Sequence, residues 1–261
     1  MLADERRFRI TELLSRQRTV SASELKDILG VTTATIRRDL ADLERRGLLV
    51  RSHGGAVSKS STTNFQPSYE TLGLANREEK QAIAAEAAKM ILDGDTIFLE
   101  GSTTVCEIAS RLQHRNRLTV VTNSPLILCE LQRYPEVSVM CVGGELQRDV
   151  FYLSGVWAQR SLNEIRVDKA FLGVSAIDPN YGISTASHAE ATIKKLAIKS
   201  AKTRIALADH TKFGKQAFAL VGPVTKITTL ITDSGTSATD VQAIKDLGVH
   251  VVIAGAKPAH R

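Results

Sequence analysis

Gly101, Ser102, Thr103 and Thr104 follow the apolar run "TIFLE" and open a helical pattern. Small, hydroxyl-bearing residues at such a place can turn backbone N–H groups toward an anion, because the first N–H groups of a helix have no intrahelical acceptor. Three other stretches repeat the arrangement. Asn123 and Ser124 follow "LTVVT" and precede Pro125, Gly143 and Gly144 follow "VSVMCV", and Asp209-His210-Thr211-Lys212 follows "RIALA". Each has a plainer reading on its own, since hydroxyls at a helix start usually cap it and paired glycines usually make turns. Four of them at strand ends point to a phosphate-bearing ligand. No GxxxxGK[ST], GxGxxG or HExxH pattern occurs, so the site is not a mononucleotide loop, a dinucleotide fingerprint or a zinc peptidase. No metal, no cofactor and no catalytic residue is expected.

A second constellation lies in "VTTATIRRDLADLERRG", residues 31–47. At about 100° per residue, Ile36, Leu40 and Leu43 fall on one side of a helix. Ala34, Arg38, Ala41 and Arg45 fall on the opposite side, flanked by Thr35 and Arg37. Small residues let a helix approach another surface closely, and arginines among them can reach phosphates or guanine edges in a major groove. Thr32, Thr33 and Thr35 stand near the helix start, where hydroxyls and free N–H groups can meet phosphate oxygens. The plainer reading is a solvated face, with Arg45 and Arg46 serving Asp42 and Glu44.

The elements around this helix decide between the two. A helix is expected over 3–16, with Phe8, Ile10, Leu13 and Leu14 inward. A second begins at "SASELKDIL", where Ser21 or Ser23 can cap it, Ser21 and Glu24 have capping-box spacing, and Leu25, Ile28 and Leu29 face the core. Gly30 ends that helix and a tight turn leads to the third. "LLVRSHGGAVS" then reads as a hairpin around His53-Gly54-Gly55. This order is a helix-turn-helix with a wing, which makes DNA binding the stronger reading and adds Arg51 and His53 as wing contacts.

Charge agrees. The 261 residues carry a net +6, and residues 1–59 hold 12 Lys and Arg against 8 Asp and Glu, whereas residues 60–261 hold 22 against 20. A basic module thus precedes a nearly neutral body. Such an excess favours polyanion partners. Cys106, Cys129 and Cys141 have no CxxC spacing and read as reduced thiols in or near the core, consistent with a cytoplasmic protein. The start "MLADERRFRI" does not read as a signal peptide, and no apolar window is long enough to suggest a membrane partner.

Beyond a Ser- and Thr-rich stretch at 59–73, expected to be a linker, the pattern is α/β. Apolar runs at 96–99, 118–122, 137–142, 169–174, 204–208, 229–232 and 249–254 alternate with helical patterns near 77–92, 104–112, 126–132, 189–201 and 238–247. Continuous apolar strands between helices imply a mainly parallel sheet covered on both faces, with ligands beyond the carboxyl ends of its strands.

The residues 5–56, with "TIRRDL" and "HGGA" as their most specific parts, resemble the N-terminal module of the DeoR family of bacterial sugar-metabolism regulators. "GDTIFLEGSTT", "LTVVTNS", "VGGELQR", "KAFLGVSAID", "GISTASHAEA", "ADHTKFGKQ" and "LITD" are similar, in order, to that family's sensor domain. The chain departs in "EGSTT", where many members have an acidic residue followed by Ser-Gly-Thr-Thr.

The resemblance implies an α/β body of the ribose-5-phosphate isomerase-like fold behind an N-terminal winged helix-turn-helix. It implies that Lys212 pairs with phosphate or a sugar oxygen, that Asp209 accepts from hydroxyls, and that Glu190 in "HAEA" faces the same site. Asp178 in "DPNYG" reads mainly as a turn residue, and His188 and His210 as polar loop residues. The expected protein is a repressor of a carbohydrate operon, not an enzyme. It would have a DNA-binding domain at 1–58, a linker at 59–73 and an effector-sensing, oligomerising domain at 74–261. Its partners would be double-stranded operator DNA, a phosphorylated sugar that releases it, and further copies of itself as a homodimer or larger assembly. The rival is a sugar-phosphate isomerase with a DNA-binding tail, using Glu190 or Asp209 as base. A third reading is a repressor with no ligand.

Overall fold

The computed structural model describes residues 3–17, 19–46, 48–52, 54–58 and 69–255. The chain divides into two compact units, Met1–Pro67 and Ser68–Arg261.

The first unit runs α1 (Ala3–Gln17), β1 (Thr19–Ser21), α2 (Ala22–Leu29), α3 (Thr33–Arg45), β2 (Leu49–Ser52) and β3 (Gly55–Ser58). Ser21 caps α2 in a full capping box: its side chain accepts from Glu24 N–H (3.1 Å), and Glu24 Oε2 accepts from Ser21 N–H (2.8 Å). Gly30 closes α2 in the left-handed region at φ 64°, which a residue without Cβ adopts at least cost. Ile10, Leu14, Leu25, Leu29, Ile36, Leu40, Leu43 and Leu49 form the core. Ile28, expected in that core, is instead 52% exposed, because Leu25 and Leu29 already fill the buried stripe. The expected hairpin gains a third strand: the sheet order is β1-β3-β2, all antiparallel. Gly55 is required there, since a Cβ would lie 2.1 Å from Val20 O.

The second unit runs α4 (Tyr69–Leu74), α5 (Arg77–Lys89), β4 (Thr96–Leu99), α6 (Thr103–Ala109), β5 (Leu118–Thr122), α7 (Pro125–Leu131), β6 (Val137–Cys141), β7 (Glu145–Gln147), β8 (Tyr152–Ser154), α8 (Val156–Glu164) and β9 (Val167–Gly173). It continues through β10 (Ala176–Asp178), β11 (Gly182–Thr185), α9 (His188–Ser200), β12 (Ala201–Leu207), β13 (Ala219–Gly222), β14 (Thr229–Asp233), α10 (Ala238–Asp246) and β15 (His250–Ala254). The linker expected over 59–73 lies outside the described residues at 59–68, and its last five residues are in α4.

The seven apolar runs become one seven-stranded sheet, order β15-β14-β12-β9-β4-β5-β6, with every pairing parallel. Alternate residues serve opposite faces. Ile97, Leu99, Phe171 and Ile205 pack with α5, α6 and α7. Phe98 and Leu172 pack with α8 and α9, and Ala206 and Leu230 with α10 and the small antiparallel sheet β10-β11-β13. The cysteines are free thiols; Cys129 is exposed on α7 and so lies away from the core.

Candidate functional site

In the first unit, the geometry separates the α3 residues into caps, ties and free groups. Thr32 is the N-cap, and its hydroxyl accepts from Thr35 N–H (3.2 Å) and meets Thr35 Oγ1 (2.9 Å). Asp39 faces inward, 2% exposed, and takes Arg6 Nε (2.5 Å) and Nη2 (3.2 Å), with Arg7 Nε at 3.3 Å. This locks α1 against α3. Asp42 collects Arg45 (2.9 Å), Arg46 (3.0 Å) and Arg7 (3.3 Å), so Arg45 has the local role of the plainer reading. Arg51 on the wing is held by Glu44, which accepts from its backbone N–H (3.0 Å) and lies 3.8 Å from its guanidinium. Arg37 and Arg38, by contrast, are exposed and have no ion-pair partner among the described residues, with exposed Thr33 and Ala34 before them. His53 lies outside the described residues.

In the second unit, the four predicted stretches sit on one sheet edge. They follow β4, β5, β6 and β12, all parallel. From β4 the chain goes to β5 and β6 on one side, then returns to β9, β12, β14 and β15 on the other. The order therefore switches between β4 and β9, where open α/β sheets leave a crevice.

Several predicted groups there are occupied within the chain. Gly101 N–H donates to Asn123 Oδ1 (2.9 Å), and Asn123 Nδ2 donates to Leu153 O (3.1 Å). Asn123 thus clamps β8 to the loop after β4, and Gly101 is needed because a Cβ would lie 2.8 Å from Tyr152 Cβ. Ser124 caps α7, and Ser102 caps α6 by accepting from Val105 N–H (3.4 Å). Gly144, φ 139°, lets β7 approach Ser154 O, which a Cβ would meet at 2.2 Å. Gly143 is exposed beside Trp157. Thr103 and Thr104 open α6, so their N–H groups have no intrahelical acceptor.

At the switch itself lies a buried ionic triad that sequence reasoning found only in part. Lys194 Nζ contacts Glu100 Oε1 (2.7 Å), Glu190 Oε1 (3.0 Å) and Gly173 O (2.8 Å), and each side chain is at most 7% exposed. Thr185 Oγ1 donates to the other Glu190 oxygen, and Gly173 N–H donates to Glu100 Oε2 (3.2 Å). Burial pushes the Glu100 carboxyl above its ordinary value. Burial alone would lower Lys194, but the charges of Glu100 and Glu190 outweigh it and hold the ammonium above its ordinary value. One cation serves two carboxylates. The signal was the i,i+4 spacing of Glu190 and Lys194 on α9.

Beyond β12, Asp209 is 1% exposed. Its Oδ1 accepts from Thr211 N–H (3.0 Å), from Thr211 Oγ1 and from Asn76 Nδ2 (3.1 Å). Its buried Oδ2 has no hydrogen-bond donor among the described residues and lies 3.9 Å from Lys212 Nζ. Burial would raise this carboxyl, but the charge of Lys212, the Thr211 hydrogen bonds and Lys80 hold it below its ordinary value. Lys80, which sequence reasoning missed, is 4% exposed. Burial and the like charge of Lys212 push its ammonium down to about 8. His210 is held by Asp233 (Nδ1 to Oδ2, 2.8 Å), and Asp178 accepts from Asn180 and Tyr181 N–H as a turn residue. His188 is exposed at the start of α9. Among the described residues no group of His, Cys, Asp or Glu could hold a metal ion, and no helix is long and apolar enough to cross a membrane.

A reading helix on a winged unit, with an α/β body whose polar groups gather at a sheet switch point, defines a transcription regulator that carries its own sensing body. Residues 6–62 match the DeoR-like helix-turn-helix domain, and residues 75–234 match the DeoR C terminal sensor domain. The chain belongs to the DeoR family: it is a DNA-binding transcriptional regulator and not an enzyme. The HTH-type transcriptional regulator YulB of Bacillus subtilis is 39% identical over 96% of each chain. GlpR of Haloferax volcanii is 36% identical, covering 97% of this chain and 98% of its own. The putative aga operon transcriptional repressor of Escherichia coli O157:H7 is 32% identical, covering 96% of this chain and 94% of its own. A solved D-ribose-5-phosphate isomerase in complex with phospho-erythronic acid superposes with a TM-score of 0.40 at 20% identity, covering 52% of this chain and 54% of its own. That likeness is too distant to assign a site.

Proposed function

We propose that this regulator is a cytoplasmic repressor of a carbohydrate-catabolism operon, released from operator DNA by a phosphorylated sugar bound at the carboxyl edge of the seven-stranded sheet. The observation that carries the reading is Asp209. A buried carboxylate oxygen without a donor is a rare feature in a folded interior and suits a ligand hydroxyl, while Lys212 beside it suits the anion. β12 and β4 are separated by one strand, which puts the Asp209–Lys212 stretch and the Thr103 and Thr104 amides roughly 10 Å apart, within the span of a sugar phosphate. Relatives named as repressors, among them AccR of Agrobacterium fabrum and the aga operon repressor, support the sign of control.

On the DNA side, Thr33, Ala34, Arg37 and Arg38 would read the major groove, with Arg51 and His53 on the wing touching the backbone. A homodimer or larger assembly would present paired modules to paired half-sites. Domains at 1–58 and 74–261 would carry the two tasks. Calorimetry with matched phosphorylated and free sugars tests the effector: a phosphorylated sugar should bind the parent and lose binding in Lys212→Ala. Equal affinity for the free sugar, or undiminished binding to the variant, rules the site out.

A further inference from the structure

Residues 69–76 lead from the division between the units into α5. Three ties hold them to the body. Tyr69 N–H donates to Asp149 O (2.6 Å), and its ring meets Phe151 edge to face, centroids 5.8 Å apart. Lys80 Nζ donates to Ala75 O (2.5 Å) and to Leu72 O. Asn76 Nδ2 donates to Asp209 Oδ1 (3.1 Å) and Thr211 Oγ1 (3.3 Å).

The third tie is the unusual one. Asn76 is the N-cap of α5, yet its side chain makes no cap hydrogen bond, and its backbone is left-handed at φ 48°, ψ 46°. An N-cap asparagine ordinarily accepts from its own first turn. A non-glycine residue in this region persists where its surroundings hold it there. Here the amide reaches instead to the carboxylate that Lys212 flanks.

We propose that residues 69–76 pass the occupancy of the polar sheet edge to the chain leading to the DNA-binding unit, through Asn76 and Lys80. The proposal rests on the reading of Asp209 and Lys212 as effector residues. A bound anion draws Lys212 from Asp209, leaving that carboxylate to depend more on Asn76 and Thr211. The same anion offsets the charge of Lys212, which is the like charge pressing on Lys80, and lets Lys80 settle on the carbonyls of Leu72 and Ala75. Both effects tighten residues 69–76. A ligand shifts an equilibrium only through different affinity for its two states, and these ties are where the difference arises.

The test uses the full chain, inorganic phosphate as probe, and the variants Asn76→Gly and Lys212→Ala. Glycine keeps the left-handed backbone accessible, so only the side-chain ties are removed. Two quantities are read: the melting temperature, and amide hydrogen exchange over 69–76 relative to α10. Phosphate should raise the melting temperature of the parent and of Asn76→Gly but not of Lys212→Ala. It should slow exchange over 69–76 in the parent by about tenfold, the scale of one or two strengthened hydrogen bonds, and in Asn76→Gly by roughly threefold or less. A rise in melting temperature with unchanged exchange over 69–76 overturns the transmission role and leaves the site standing, as does equal slowing in Asn76→Gly. No phosphate-dependent rise in the parent overturns the effector site and the transmission role with it.

Discussion

Replacing Arg38 by alanine separates a helix that reads DNA from one that merely carries charge. Arg38 is exposed on α3, between exposed Ala34 and half-buried Ala41, with no ionic partner among the described residues. Its guanidinium is therefore free to form new bonds without breaking old ones. A bidentate hydrogen bond to a base edge is worth about 1–3 kcal/mol, so each half-site should lose roughly ten- to a hundredfold in affinity. Arg45 is the internal control. It already lies 2.9 Å from Asp42, and an approach to DNA must compete with that carboxylate. Exposed pairs of this kind contribute about 0–1 kcal/mol, so Arg45→Ala should cost under about fivefold. Binding to the chain's own upstream DNA, titrated at several salt concentrations, gives both numbers. If Arg38 bonds to a base edge, its removal lowers affinity for operator more than for random DNA. If it bonds only to a phosphate, removal lowers both alike and reduces the salt slope by about one. If Arg38→Ala binds like the parent at matched salt, or Arg45→Ala is the weaker binder, α3 is not the reader in the way described.

Asp39→Ala should unfold the DNA-binding unit selectively, because losing one partner of a buried ion pair costs about 3–5 kcal/mol, much of the stability of so small a unit; circular dichroism should show its transition displaced by ten degrees or more, on the order expected for small domains, with that of the body unmoved. Lys194→Met should destabilise the body by a similar order, since Glu100 and Glu190 would be left buried without their cation, and an unchanged melting temperature would contradict the triad. Lys80 titrates near 8 in the folded chain, below its ordinary 10.5, so the unfolded chain binds more protons between those values and stability rises with pH across that window. The stability of the parent relative to Lys80→Met should therefore increase from pH 8 to 10.5, and a flat difference would argue that Lys80 is not desolvated.

The central sheet was legible because parallel strands buried on both faces are written as continuous apolar runs, and each of the seven expected runs became a strand of it. The helices between them carry period and caps, as at Ser21, Ser124 and Gly30. What escaped was short or long-range. β7, β8, β10, β11 and β13 are three or four residues each and present no apolar run. The helix α8, "VWAQRSLNE", was not among those expected; its Val156 and Trp157 are exposed, so its apolar residues do not mark the buried face. Asp39 looked like a surface residue, because its partners stand 33 residues away on α1. Asn123 looked like a ligand group, because its partner Leu153 depends on how the β7-β8 hairpin folds back. Strand ends showed where chemistry gathers, but which groups are occupied within the chain followed only from three-dimensional neighbours.

The most direct measurement is operator release. The parent and Lys212→Ala, bound to the same operator fragment, are titrated with a panel of phosphorylated sugars and their unphosphorylated counterparts. At least one phosphorylated sugar should free the parent from DNA while its unphosphorylated counterpart does not, and Lys212→Ala should hold the operator throughout with parental affinity. Release of the variant at the same concentration as the parent, or release by the free sugar, would contradict the account.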